Sequence, residues 1–319
     1  MISRKLAPSL LIAALALGGC AALVDRKATA REDAAATLYP PTGQFVTVNG
    51  TRIHADVQGA GPDLVLIHGA SGSSRDFTFD LTRRLKSTYR VIAFDRPGMG
   101  WSDSAPNTDT SPLGQADLLI AAATQLGATH PIVLGHSYGG AVAMAWALRA
   151  KPTALVIVSG ATMPFPGDLG LWYKVTSSTL GGHTIIPLIT AFAPQSRIDA
   201  SVNAVFAPQS PPAGYADYIG TGLTLMRDAL RVNGRQVNSL KPYVIEMSKI
   251  YPDLTLPVEL VHGRADTTVP LKIHAEPLSK LLPNATLTIL DGAGHMPHHT
   301  HPDAIIAAIN RAAKRAKQR

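Results

Sequence analysis

A chain of 319 residues that is 46% hydrophobic and 16% charged has the length of one large domain or two ordinary ones, and enough apolar material for a sizeable core, which excludes global disorder. Its formal charge of +7 invites a nucleic-acid partner, but the excess sits at the ends: Arg4 and Lys5 at the start, and Arg311, Lys314, Arg315, Lys317 and Arg319 in the last nine residues. Without those seven residues 22 basic side chains face 22 acidic ones, so no nucleic-acid groove is expected.

At the N-terminus, Arg4 and Lys5 precede an apolar run from Leu6 to Leu17, too short to span a bilayer comfortably as a permanent helix. The run ends in Leu17-Gly18-Gly19-Cys20, and Cys20 is the only cysteine. This resembles the bacterial lipoprotein signal, with a leucine three residues before the cut, small residues beside it, and then the cysteine. The resemblance implies that residues 1–19 are a signal peptide and that Cys20 carries diacylglycerol and a further fatty acyl chain such as palmitate. The mature protein would then be held at a membrane of the bacterial cell envelope. Ala21, in place of an aspartate, leans towards the periplasmic side of the outer membrane. An ordinary secretory signal is the plainer alternative, but a lone cysteine cannot make an internal disulfide, which favours lipidation. Residues 20–44, rich in alanine and small polar residues and closing on Tyr39-Pro40-Pro41, read as a tether.

The folded part begins with Phe45 to Val48 and Thr51 to Val57, two strands around an Asn49-Gly50 hairpin turn. Apolar runs bounded by turn residues follow at Leu64–Ile67, Val91–Phe94, Ile132–Leu134, Leu155–Val158, Val258–Val261 and Thr286–Leu290. Strands apolar on both faces belong to a parallel sheet covered by helices on each side. Helix-like segments separate most of them, near Ser74–Leu85, Pro112–Leu126, Gly140–Ala150 and Pro270–Leu282. The pattern predicts an α/β fold with a mostly parallel sheet. The interval between Val158 and Val258, about a hundred residues, is long enough for an inserted subdomain. Its clearest helical candidate is Tyr218–Val232. The division expected is a core of residues 45–160 and 254–319 and a mainly helical cap of residues 161–253.

One corner carries the chemistry. Gly135-His136-Ser137-Tyr138-Gly139 fits G-x-S-x-G, with a strand before it and a helix after it. Glycine two positions either side of the serine tolerates the strained backbone and the close approach of strand and helix. The turn lifts Ser137 Oγ above the sheet, at the start of a helix whose free N–H groups stabilise negative charge. A serine hydroxyl is a weak nucleophile and needs a histidine base oriented by a carboxylate. Asp266 follows the strand Val258–Val261 and His295 follows the strand Thr286–Leu290. Both therefore fall on loops at the carboxyl ends of strands, where ligands bind in such sheets. Asp291 is the competing acid, only four residues before the histidine. Two backbone donors complete the set as an oxyanion hole: Ala70, after the strand ending Ile67-His68-Gly69, and Tyr138. His298, His299 and His301 crowd near His295 without regular ligand spacing, so no metal is expected; no cofactor is expected either.

These residues resemble the α/β-hydrolase superfamily over about residues 45 to 310. The resemblance rests on His68-Gly69, Asp95-Arg96-Pro97-Gly98-Met99-Gly100-Trp101-Ser102, Gly135 to Gly140, the Asp266 loop and Gly294-His295. The Asp95 to Ser102 motif is similar to that of the esterase, epoxide hydrolase and haloalkane dehalogenase branch, where a helical cap follows the sixth strand. That motif reads as a structural turn, with Trp101 a candidate for the pocket wall. Epoxide hydrolases and haloalkane dehalogenases place aspartate where this chain has Ser137. Proline iminopeptidases show Asp-Gln-Arg-Gly in place of Asp95 to Gly98. The resemblance therefore implies a serine hydrolase of carboxylesterase type, with Ser137 as nucleophile, His295 as general base and acid, Asp266 orienting it, and a small or medium hydrophobic ester as substrate. Perhydrolysis or carbon–carbon bond hydrolysis on the same fold, and a catalytically silent lipid-anchored binding protein, are the alternatives. Trp172, Tyr173, Phe192, Phe206, Tyr215, Tyr218 and Met226 are the candidates for an apolar pocket in the cap. The C-terminal helix, with Ile305, Ile306 and Ile309, is expected to pack on the sheet and end in a solvated basic tail.

Overall fold

The computed structural model describes residues 6–105 and 110–318; Arg4 and Lys5 of the expected export signal, and Arg319, lie outside them. Helix α1 (Leu6–Leu38) comes first. Strands β1 (Gln44–Val48) and β2 (Thr51–Gln58) then form the antiparallel hairpin. Asn49 and Gly50 both take positive φ at its tip, 49° and 81°. Next come β3 (Asp63–Ile67), the short helices α2 (Arg75–Thr78) and α3 (Leu81–Leu85), β4 (Arg90–Phe94), α4 (Pro112–Gln125), β5 (Ile132–His136), α5 (Tyr138–Arg149) and β6 (Ala154–Val158).

The long interval is helical: α6 (Leu171–Ser177), α7 (Thr179–Phe192), α8 (Gln195–Phe206), α9 (Tyr215–Ile219), α10 (Thr221–Thr224), α11 (Arg227–Asn238) and α12 (Leu240–Ser248). The chain returns to the sheet with β7 (Val258–Gly263), α13 (Ala275–Leu281), β8 (Ala285–Leu290), α14 (Pro297–Thr300) and α15 (Pro302–Lys317).

The eight strands make one sheet in the order β1-β2-β4-β3-β5-β6-β7-β8, parallel from β4 to β8. Alternate residues of each central strand enter opposite layers, as the pleat requires. Val65, Ile67, Val133, Leu155 and Leu260 pack with α4, α5 and α13. Leu64, Leu66, Leu134, Val156 and Val261 pack with α2, α3 and α15. This two-sided burial is why the strands are continuous apolar runs in the sequence.

Three expectations change. The segment read as a tether is helical, and α1 lies against cap helices α7 and α10. Ala28 and Ala35 of α1 are buried, Arg31 Nη1 donates to Ala193 O at 3.0 Å, and Arg227 at the head of α11 grips Glu32 through Nη2 at 2.6 Å and also pairs with Asp25. From Cys20 to Leu38 the helix has few large apolar residues, and tertiary contacts hold it there. Second, the stretch Tyr218–Val232 is not one helix: Gly220, at φ 65°, and Met226, at ψ 140°, break it. Third, the basic end of α15 is only partly solvated. Arg311 and Arg315 reach Glu259, fully buried on β7, at 3.0 and 2.7 Å. Among the described residues no helix is long and apolar enough to cross a membrane.

Candidate active site

Strand β5 ends in Gly135-His136 and α5 begins at Tyr138, so Ser137 alone makes the corner. Its backbone sits at φ 54° and ψ −121°, a region that non-glycine residues rarely occupy and that surrounding contacts must enforce. Those contacts are Ser137 N–H to Val158 O, and Gly140 and Ala161 N–H to Ser137 O, at 2.9 to 3.0 Å. A Cβ on Gly135 would meet Gly139 O at 2.2 Å, and one on Gly139 would meet Ile67 O at 2.2 Å. Any larger residue at either position would push the helix off the strand.

The loops after β7 and β8 bring the other two residues to this corner. His295 Nε2 lies 3.0 Å from Ser137 Oγ, and His295 Nδ1 lies 2.8 Å from Asp266 Oδ2. A carboxylate only accepts, so Nδ1 carries the proton and Nε2 presents its lone pair to the hydroxyl. The other Asp266 oxygen accepts the Thr268 and Val269 N–H groups, both at 2.9 Å. His262 Nε2 donates to Val269 O at 2.7 Å and lies 3.3 Å from Asp266 Oδ2. Burial pushes the Asp266 carboxyl up, but hydrogen bonds from His262, His295 and the Val269 N–H outweigh it and hold the group well below the usual carboxylate range. All three residues are buried, and Ser137 and His295 open onto a cavity of about 830 Å3.

Ala70 and its neighbour Gly69 line the same cavity beside Ser137, and Tyr138 provides the first N–H of α5. Asp291, the competing acid, is a surface residue paired with Arg264 at 2.5 Å. Of the cap aromatics, Trp172, Tyr173, Phe192 and Tyr215 line the cavity together with Ile185, Leu188, Ile198 and Val205. Phe206 packs behind Tyr215, Tyr218 meets Phe79 edge to face, and Met226 stands outside the wall. Trp101 is not in the wall either; its Nε1–H donates to Tyr39 O at 3.0 Å and secures the end of the α1 segment.

Two arrangements near the site carried no legible signal. His136 Nε2–H donates to the carbonyl of His295 at 3.0 Å, holding that residue from behind. Burial, with His298 and His295 close by, holds His136 neutral, its pKa well below the usual imidazole value. The second is a buried group of Asp76, His298 and His299, whose donor atoms lie within 4.8 Å of one another. Asp76 Oδ1 accepts from His299 Nε2 at 2.8 Å and Tyr215 OH at 2.7 Å, and Oδ2 accepts from His298 Nε2 at 3.0 Å. A metal would need the Nε2 lone pairs and would leave Nδ1–H to donate elsewhere. Among the described residues neither Nδ1 atom, both buried, has a partner. The set therefore fits Nε2–H donors around a carboxylate, not a metal. The sequence separates Asp76 from the two histidines by more than 220 residues, which is why spacing did not reveal the group.

Known proteins place the chain. The model of the alpha/beta hydrolase family matches residues 64–308. The chain is 27% identical over 277 residues to the pimeloyl-[acyl-carrier protein] methyl ester esterase of Aliivibrio salmonicida, covering 82% of this chain and 95% of that one. Among solved structures, an alpha/beta hydrolase fold protein from Burkholderia ambifaria is 25% identical with a TM-score of 0.70, covering 83% of this chain and 96% of its own. An esterase from Rhodococcus sp. ECU1013 shares the fold at 24% identity and a TM-score of 0.68, over 85% of this chain and 98% of its own. The matched region holds every strand of the parallel part of the sheet apart from the first residue of β3, and all three residues of the Ser137, His295 and Asp266 relay; the chain belongs to the alpha/beta hydrolase family.

Proposed function

We propose that the protein is a serine hydrolase that cleaves small or medium hydrophobic carboxylic esters through an acyl-enzyme. The observation that carries this reading is the relay from Asp266 through His295 to Ser137, at 2.8 and 3.0 Å, opening into an apolar cavity of about 830 Å3. Ser137 Oγ attacks the ester carbonyl while His295 Nε2 takes its proton. Asp266 stabilises the imidazolium so formed. The Ala70 and Tyr138 N–H groups receive the developing oxyanion, and the positive end of α5 adds to them. His295 then protonates the departing alcohol. A water molecule, deprotonated by the same nitrogen, attacks the acyl-enzyme, releases the acid and restores Ser137.

Serine at the corner favours acyl transfer over displacement at an alkyl carbon, which needs a carboxylate nucleophile. The apolar wall, with Ile185, Leu188, Phe192 and Val205, favours an acyl chain over a charged one. We also propose that Cys20 is lipidated after removal of residues 1–19 and holds the enzyme at a membrane of the cell envelope. Cys20 is exposed, as are its neighbours Gly18 to Leu23, which supports this reading.

A fluorophosphonate probe and a series of p-nitrophenyl esters of graded chain length test the proposal. The expected result is labelling of the wild type, none of Ser137→Ala, and a kcat for Asp266→Asn lower by about 10^3- to 10^4-fold. A folded wild type that neither reacts with the probe nor hydrolyses any ester would overturn it.

A further inference from the structure

The Ala70 N–H is a single amide on a loop, and its direction is set by what grips the residues on either side. The Gly69–Ala70 peptide is planar and trans, so its C=O and its N–H point in opposite directions. Whatever holds Gly69 O aims the Ala70 N–H. Gly69 O accepts from Arg96 Nη2 at 3.0 Å and from His68 Nδ1 at 2.8 Å. His68 Nε2 in turn accepts the Arg96 backbone N–H at 2.9 Å, which assigns its tautomer. Burial, with Arg96 beside it, keeps His68 neutral, its pKa lowered to about 4.

Arg96 is fully buried, and among the described residues its guanidinium bonds neutral oxygens: His68 O and Gly69 O on one side, Gln115 Oε1 and Gln236 Oε1 on the other. Gln236, at 2.6 Å, belongs to cap helix α11. Its amide also donates to Pro97 O at 2.9 Å.

The residue after Ala70 is held by the cap outright. Ser71 has a φ of 55°, unusual for a residue with a side chain. Its N–H donates to Asn233 Oδ1 at 2.8 Å, its Oγ accepts from Asn233 Nδ2 at 3.0 Å, and its carbonyl accepts from Thr224 Oγ1 at 2.9 Å. Every polar group of Ser71 is thus bonded to α10 or α11. Asn233 and Gln236 stand three apart on α11 and so share one face, with Asn233 clamping the loop on one side of Ala70 and Gln236 reaching the other through Arg96.

We propose that Asn233, Gln236 and Arg96 are positioning residues for the oxyanion hole, so that the hole is formed only while α11 is seated on the loop after β3. The proposal rests on the serine-hydrolase reading and deepens it: the cap completes the catalytic machinery as well as walling the pocket. None of the three lines the cavity. Their effect is confined to the alignment of a donor that matters most once the carbonyl oxygen carries charge, so it should fall on kcat and leave KM nearly unchanged.

The test uses the full chain with Asn233→Ala, Asn233→Asp and Gln236→Ala, p-nitrophenyl butyrate as substrate, and an alkyl boronic acid, which forms a tetrahedral adduct on Ser137. Asn233→Ala is expected to lower kcat by about 10- to 100-fold with KM within about twofold, and to weaken the boronic acid in the same proportion. Asn233→Asp keeps an acceptor for the Ser71 N–H and should recover part of the loss. A folded Asn233→Ala with wild-type kcat, or a loss carried by KM alone, overturns the proposal; if Asn233→Ala does not fold, Gln236→Ala decides by the same criteria. An inactive, unlabelled wild type would instead overturn the hydrolase reading itself.

Discussion

His68 is the smallest unit on which the site depends. It is a neutral imidazole between an N–H donor and a carbonyl acceptor, and only one protonation state satisfies both. The sequence marks it as the residue before a glycine at a strand end, which names its place and not its work. Arg96 was equally visible as part of Asp95-Arg96-Pro97-Gly98, yet its partners come from residues 68, 69, 115 and 236, a gathering that no local pattern encodes. His68 and His274 both have pKa values lowered to about 4, burial being the main cause. Arg96, Asp95 and Asp76 are the groups that act on the first through space, and His262, Asp266 and His295 those that act on the second. A folded value below the unfolded one of about 6.5 means that the unfolded chain binds more protons in between, so stability falls as pH drops from about 6.5 towards about 4. The carboxylates act lower. Asp266 and Asp76 are held below their usual range, so the stability they contribute is present above about pH 4 and is lost only beneath it. Thermal unfolding should therefore show Tm declining steadily between pH 6.5 and 4.5. A level Tm over that interval would mean that these imidazoles are not held neutral.

Elements were legible where burial is two-sided or the turn chemistry is local. The apolar runs at Leu64, Val91, Ile132, Leu155 and Val258 are all strands, and Asn49-Gly50 is the hairpin tip. Legibility failed for elements that depend on a distant partner. From Cys20 onward helix α1 offers small residues that read as a tether; Ala28, Ala35 and Glu32 meeting the cap hold this part in place. The tail of α15 was expected in solvent, but Glu259 is a carboxylate inside a strand that needs its two arginines. The docking of α1 makes its own prediction. Arg227→Ala removes the contacts to Glu32, Asp25 and Thr29 at one stroke. These groups are partly exposed, so the loss should be modest, about 1–2 kcal/mol. It should appear as local release of α1 rather than global unfolding. Arg26, Lys27 and Arg31 lie in that segment, and trypsin should cut there several times faster in the variant while the core stays intact. Equal cutting rates would show that the ion pairs do not hold the helix.

The whole molecule joins three layers of dependence: the sheet brings together Ser137, Asp266 and His295, the cap closes the cavity and grips the Ser71 loop, and α1 leans on the cap from outside. The cavity mouth is the least expected surface of this assembly. Leu171, Trp172, Leu180, Ile185, Leu188 and Phe192 are exposed large apolar residues on α6 and α7, and four of them also line the cavity. Exposed apolar side chains gathered around one opening mark an interaction surface. Its neighbour is α1, with Lys27 over the Phe192 ring at 4.3 Å, and α1 leads back to Cys20. On the proposed anchoring at Cys20, lipid, cap and cavity mouth fall on one side of the molecule, and hydrophobic esters would enter from the bilayer rather than from water. The protein carries its own reporter. Of its three tryptophans, Trp146 is buried and Trp101 is tied to Tyr39, which leaves Trp172, 49% exposed at the rim. The protein lipidated at Cys20, on vesicles whose acyl chains are brominated, should lose fluorescence, and Trp172→Phe should abolish the quenching while leaving attachment, measured by flotation, unchanged. Attached protein whose Trp172 is not quenched would turn the mouth away from the membrane, and substrates would then have to arrive through water.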